Sequence, residues 1–190
     1  QVTFAEHTGT HFDAPCHMVD GTAKLHEVDP STLIRPAAVI DISDDVGDDP
    51  DAVLTLAQVE AFERANGPVP TGGVVLLRTG WEDRNTDPVR YAGQPGDLRF
   101  PGYGEDAARF LVGQRQVVGL GIDTLGIDPG CSGDFVVHRQ VTLPAGVWHL
   151  EGLQNLQAVP PLGATVFVGV LPLVETHVSV PFSEWVGSLF

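Results

Sequence analysis

Short apolar runs bounded by glycine, proline and aspartate recur along the 190 residues of the chain. Ala37–Ile42, Gly73–Thr79, Val117–Ile122, Val147–Leu150 and Thr165–Leu171 each read as a strand. Most are apolar throughout rather than alternating, which marks strands covered on both faces. Between them lie segments with helical period. Thr55 and Gln58 form a capping box, Leu56, Val59 and Phe62 follow on one face, and Gly67-Pro68 supplies the stop. Asp106–Gln114 repeats the period with Ala107, Phe110 and Leu111 inward, and a further helix carrying Phe135, Val136 and His138 is expected after Gly133. Leu153–Leu156 reads as a helical turn. Strands interleaved with helices predict an α/β domain with its sheet covered on both faces. Neither a repeat nor a linker divides residues 1–190, so one domain is expected.

The polar segments are less regular. Val19–Pro36 is rich in loop residues, and Ser43–Asp51 holds five aspartates. The latter fails as a calcium loop: Gly47 falls one place late after Asp41, Ser43 and Asp45, and Ala52 stands where a glutamate is needed. A solvated acidic loop is the expectation. Gly80–Tyr103 is long for a connection, and such segments often cover an active site or a subunit contact.

One polar stretch changes the picture. His7-Thr8-Gly9-Thr10-His11-Phe12-Asp13-Ala14-Pro15-Cys16-His17 places three of the seven histidines and an aspartate within eleven positions. Gly9, Thr10 and Pro15 oppose a helix. Alternation instead predicts an extended segment with His11, Asp13, Pro15 and His17 on one side. Imidazole and carboxylate together suit zinc, manganese or ferrous iron rather than calcium or magnesium. A catalytic site commonly uses three protein ligands and leaves a position open. His7, His11 and Asp13 meet that count, leaving His17 free as an acid or base.

Composition narrows the partners. A formal charge of −15 opposes binding to nucleic acid or anionic membranes. The longest apolar stretch, 163–174, is too short to span a bilayer. The two cysteines suggest reduced thiols and a cytoplasmic location. Cys16 would point away from the cluster's ligand side, as a small buried residue.

The run His7-x-Gly9-Thr10-His11-x-Asp13-x-Pro15-x-His17 resembles the signature of the cyclase family of metal-dependent hydrolases, to which bacterial kynurenine formamidases and isatin hydrolases belong. Leu77-Arg78-Thr79-Gly80-Trp81, Gly121-Ile122-Asp123-Thr124 and His138 with Glu151-Gly152-Leu153-x-Asn155-Leu156 resemble further segments of that family. The resemblance implies a swivelling β/α/β fold with a mixed central sheet. It also implies a two-metal centre: His7, His11, Asp13 and Glu151 on one ion, and Asp13, His138 and Glu151 on the other. Zinc is the first expectation and manganese the alternative, with one or two ions per chain.

The activity implied is hydrolysis of an amide C–N bond, with His17 as the acid/base. The substrate is a small molecule: an aryl formamide such as N-formylkynurenine or, alternatively, a cyclic amide of the isatin kind or a lactone. A non-catalytic metal-binding homologue is the remaining alternative. Family members carry an upstream segment that this chain does not show, so an N-terminal segment is expected to be lacking. The edge strand so exposed predicts a homodimer or higher assembly.

Other residues attract milder expectations. His149, two before Glu151, shares its strand face and is a secondary candidate for the pocket. His26 reads as solvated, and His177 and the tail after Leu173 follow no family pattern. Asp123 and Asp128 are expected to satisfy loop backbone donors. Trp81 is expected to pack rather than to stack on substrate.

Overall fold

The computed structural model describes residues 7–171 and 178–179. Through them runs a mixed sheet of seven strands: β1 (His11–Asp13), β2 (Ile34–Asp41), β3 (Val74–Arg78), β4 (Gly119–Ile122), β5 (Trp148–Glu151), β6 (Ala164–Phe167) and β7 (Val178–Ser179). Their spatial order is β6-β2-β3-β4-β5-β1-β7. Strands β2 to β5 pair in parallel, while β6, β1 and β7 join antiparallel at the flanks. Parallel neighbours need crossovers. Helix α1 (Ser43–Val46) and helix α2 (Leu56–Asn66) lie between β2 and β3. Helix α3 (Pro88–Ala92) and helix α4 (Glu105–Arg115) lie between β3 and β4, and a π-helical segment, Val137–Thr142, lies before β5.

The strands are apolar throughout because each side of the sheet is a core. Ala38, Ile40, Val75, Leu77, Leu120 and Ile122 pack with Val59 and Phe62 of α2 and with Ala107, Ala108 and Leu111 of α4. On the opposite side Ala37, Val39, Val74 and Leu76 meet Phe12, Trp148 and Leu150. A side chain at Gly119 would put its Cβ 2.3 Å from the Trp148 ring on the adjacent strand. Bare backbone at that point lets the indole lie across β4.

Helix α2 begins and ends as expected: Thr55 and Gln58 form the capping box, and Gly67 terminates it at φ 102°. In α4 Ala108 joins Ala107 and Leu111 as fully buried, and Phe110 does pack against the same core, half-buried with the Arg115 guanidinium 4.6 Å from its ring centre. Small alanines let the helix approach the sheet closely. Several expectations are corrected. The last long strand is only β6, whose burial alternates because it is an edge strand and Phe167 stays exposed. Phe135, at φ 54°, precedes the π-helical segment instead of lying within it. The helical turn expected over Leu153–Leu156 starts later, at Leu156–Ala158, because Asn155 takes the left-handed conformation that asparagine tolerates. The acidic 43–51 segment opens with the short helix α1, anchored where the Asp41 carboxylate accepts from the Ser43 backbone N–H at 2.9 Å. No helix among the described residues is long and apolar enough to cross a membrane.

Candidate metal centre

Strands β1 and β5 pair with His11 opposite Glu151, Phe12 opposite Leu150 and Asp13 opposite His149. Alternation then divides the ladder chemically. Phe12, Trp148 and Leu150 turn into one apolar core, and His11, Asp13, His149 and Glu151 share the other face. All four are buried, at no more than 3% exposure. The two ends of the ladder are also stitched together: the Thr10 hydroxyl donates to the Gly152 carbonyl at 2.6 Å.

The extended segment expected to reach His17 ends at Asp13. Pro15–His17 is a 3-10 turn, closed by the His17 N–H donating to the Ala14 carbonyl at 2.9 Å, because Pro15 suits the first turn of a helix and not a paired strand. His17 therefore reaches the cluster from the turn, with its ring centre 4.6 Å from that of His7 and 6.3 Å from that of His138. Cys16 is a free thiol, half-buried against the Phe12 core.

His11 has a defined orientation. Its Nδ1–H donates to the Gly9 carbonyl at 3.0 Å, so Nε2 is the nitrogen turned to the cluster. That nitrogen lies 2.8 Å from His7 Nδ1, 3.2 Å from Glu151 Oε2 and 3.6 Å from Asp13 Oδ1. His138 is oriented the same way. Its Nδ1 meets the Asp128 carboxylate at 2.6 Å, and Nε2 faces Glu151 Oε1 at 3.3 Å. Glu151 thus divides its two oxygens between His11 and His138, while the Ile127 N–H donates to Oε1 at 3.0 Å. Ligand atoms of His7, His11, Asp13 and Glu151 lie within 4.8 Å of one another, as do those of Asp13, His138, His149 and Glu151.

Facing lone pairs and carboxylates at these distances require positive charge between them. In terms of protons, burial pulls the imidazole of His11 down, but the Glu151 and Asp13 carboxylates outweigh it and raise its pKa to about 9. For His138 burial again acts downward, and hydrogen bonds to Asp128 and Glu151 raise it to about 10. Burial pushes Glu151 up, yet its contacts with His11 and His138 hold it well below the usual carboxylate range. A divalent cation fits the same place: nitrogen and carboxylate donors converge, the other ring nitrogens of His11 and His138 are anchored, and the surrounding charge is negative. His17 differs. Burial, followed by the nearby His7 and His138, lowers it to about 4.

The cluster floors a cavity of about 810 Å³, whose walls include Tyr91, Leu98, Phe100, Leu125 and Phe135. Much of that wall comes from the long Gly80–Tyr103 connection, with Asn85 bonded to Gln154 at 2.6 Å along its rim.

The remaining candidates fall elsewhere. Asp123 accepts from the backbone N–H groups of Thr79, Gly80 and Trp81 at 2.9–3.1 Å, holding the turn after β3. Trp81 is buried and donates its indole N–H to the Tyr91 carbonyl at 2.9 Å. His26 is exposed, and His177 lies outside the described residues. Asp128 does accept from backbone donors, but they are the Val137 and His138 N–H groups that open the π-helical segment rather than a loop, and its grip on the His138 ring was not legible in the sequence. An aspartate ten residues before a candidate ligand was the only available signal.

The sequence profile of the Cyclase family matches residues 1–129. An isatin hydrolase of Roseibium aggregatum is 31% identical over 90% of this chain and 68% of its own length. A kynurenine formamidase of Geobacillus thermodenitrificans is 30% identical over 92% of this chain and 73% of its own. Among solved structures, isatin hydrolase A from Labrenzia aggregata superposes with a TM-score of 0.88 at 30% identity, covering 96% of this chain and 73% of that one. A potential metal-dependent hydrolase with cyclase activity superposes with a TM-score of 0.76 at 26% identity, covering 97% and 81%. The chain belongs to the Cyclase family of metal-dependent hydrolases.

Proposed function

We propose that the chain hydrolyses the C–N bond of a small amide attached to an aromatic ring. The observation that carries this reading is the convergence of His7, His11, Asp13 and Glu151 within 4.8 Å beside a mainly apolar cavity walled in part by Tyr91, Phe100 and Phe135. The isatin hydrolase match, with a TM-score of 0.88 for a solved relative, supports a cyclic amide of the isatin type as the first reading. The formamidase match, 30% identical over 92% of the chain, supports an open-chain aryl formamide such as N-formylkynurenine as the second reading.

His7, His11, Asp13 and Glu151 would hold one divalent ion, and Asp13, His138 and Glu151 a second, with both carboxylates shared. Zinc is the first candidate and manganese the second, since a shell of this kind accepts either. Such an ion supplies Lewis acidity, lowering the pKa of coordinated water and polarising a carbonyl oxygen. The chain's own residues complete the reaction. His17, neutral at pH 7, takes a proton from the attacking water on a ring nitrogen and returns it to the leaving nitrogen as the C–N bond breaks. Tyr91, Phe100 and Phe135 provide flat apolar surface that orients an aryl ring and excludes water.

Metal analysis of the purified protein combined with turnover assays on isatin and N-formylkynurenine, with and without a chelator, tests this reading. Bound zinc or manganese and chelator-sensitive hydrolysis, faster on isatin, are expected. A metal-free protein with no chelator-sensitive hydrolysis of either compound would contradict it. Faster turnover of the formamide would reverse the substrate order.

A further inference from the structure

His149 is fully buried, and its Nδ1 has no hydrogen-bond partner among the described residues. Buried ring nitrogens of a purely structural histidine are normally both satisfied, because an unmet buried polar atom is unfavourable. The other nitrogen is well held. The Thr142 hydroxyl donates its single hydrogen to the Val137 carbonyl at 2.8 Å, so its oxygen can only accept from His149 Nε2–H, at 2.8 Å. That bond fixes the tautomer and leaves a lone pair on Nδ1. An imidazole with one N–H anchored and the other nitrogen bare is the arrangement of a metal-ligating histidine.

Register places this histidine among ligands. His149 stands directly across the ladder from Asp13 and two residues before Glu151 on the same face. Its ring meets that of His138 edge-on, with centres 4.5 Å apart at 87°. One ligand atom from each of Asp13, His138, His149 and Glu151 falls in a group spanning at most 4.8 Å, and all four residues are buried.

We propose that His149 Nδ1 is a ligand of the second metal ion, making that site a buried set of two imidazoles and two carboxylates with Thr142 as the positioning residue. This rests on the reading that the cluster holds metal at all, and it fails separately from it. Such a donor set favours a transition metal over calcium or magnesium. It also makes the second site the more enclosed of the two, because His7 of the first site is 45% exposed at its side chain.

Equilibrium dialysis of the whole protein against graded Mn2+, with bound ion counted by electron paramagnetic resonance, tests the proposal without reference to activity. The wild type is expected to bind two ions. His149→Ala is expected to weaken one binding step by at least ~10–100-fold and leave the other unchanged. Thr142→Val keeps the imidazole but frees its tautomer, and is expected to weaken the same step by about 10-fold or more. It supplies the reading if the alanine variant does not fold. Unchanged Mn2+ stoichiometry and affinity in a folded His149→Ala variant, or in Thr142→Val, would overturn the proposal while leaving the metal centre itself standing. A wild type that binds no Mn2+ or Zn2+ would sink both.

Discussion

His11 is fixed by a single backbone contact. Because Nδ1–H donates to the Gly9 carbonyl, Nε2 must face Glu151 and Asp13, and in the metal-free protein that nitrogen holds a proton up to a pH of about 9. His138, with Nδ1 on Asp128, holds one to about 10. A metal ion must displace both protons, so binding at pH 7–8 should release about two protons per fully loaded centre and tighten as pH rises. Calorimetry of Zn2+ binding in buffers of different ionisation enthalpy measures this release; a proton count near zero would contradict it. The stability linkage of the metal-free form has the opposite sense. Both pKa values are raised above the unfolded value, so their stabilisation is complete below about 6.5 and is lost as pH climbs through about 9–10.

At the same scale, His17→Ala should lower turnover by about 10²–10⁴-fold with metal content retained, read by steady-state kinetics beside metal analysis. Near-normal turnover would remove the residue from the reaction. The two halves of the centre were partly legible in sequence. His7, His11, Asp13 and His17 are close together in the chain, and their chemistry is plain from spacing. His138 and Glu151 were reached only through family resemblance. His149 was a secondary candidate, because its importance depends on which residue of β1 stands opposite it, and strand register leaves no local mark.

Among the elements, the short β1–β5 ladder does the positioning, and its back face depends on Trp148. The indole needs the space left by Gly119. Gly119→Ala should therefore cost about 1–3 kcal/mol by overpacking, measured by denaturant unfolding. A cost below ~0.5 kcal/mol would show that the ring moves freely. Period and capping signals made α2 legible almost to the residue, an apolar run between glycines located β3, and a second apolar run ending at Asp123 located β4. The errors lie where tertiary position decides. Thr165–Leu171 looks like a buried strand, yet its paired part, β6, is an edge with Phe167 exposed. The turn at Pro15–His17 interrupts an alternation that sequence alone would continue.

For the whole molecule, a formal charge of −15 and a buried concentration of carboxylate and imidazole mean that the folded chain carries its own electrostatic load. Metal ions bound between β1 and β5 would relieve part of it and join a three-residue strand to the parallel sheet. Removing metal should then lower the melting temperature by about 5–10 °C for ions present at ~100 times their Kd, seen by calorimetry with and without chelator. An unchanged melting temperature would mean that the centre is preformed and bears no stabilising ion. The two-sided core explains why such a loss should loosen the centre without unfolding the sheet: one whole side of β2, β3 and β4 packs into a core that holds no residue of β1.

Anomalous diffraction from crystals of the protein, recorded at the zinc and manganese absorption edges, tests whether metal sits between His11, Asp13 and Glu151. An anomalous peak is expected about 2.0–2.2 Å from His11 Nε2 and from oxygens of Asp13 and Glu151, with a second peak beside His138 and His149 when that site is filled. Metal-containing crystals with no anomalous peak inside this cluster, or with the ion bound elsewhere, would contradict that placement.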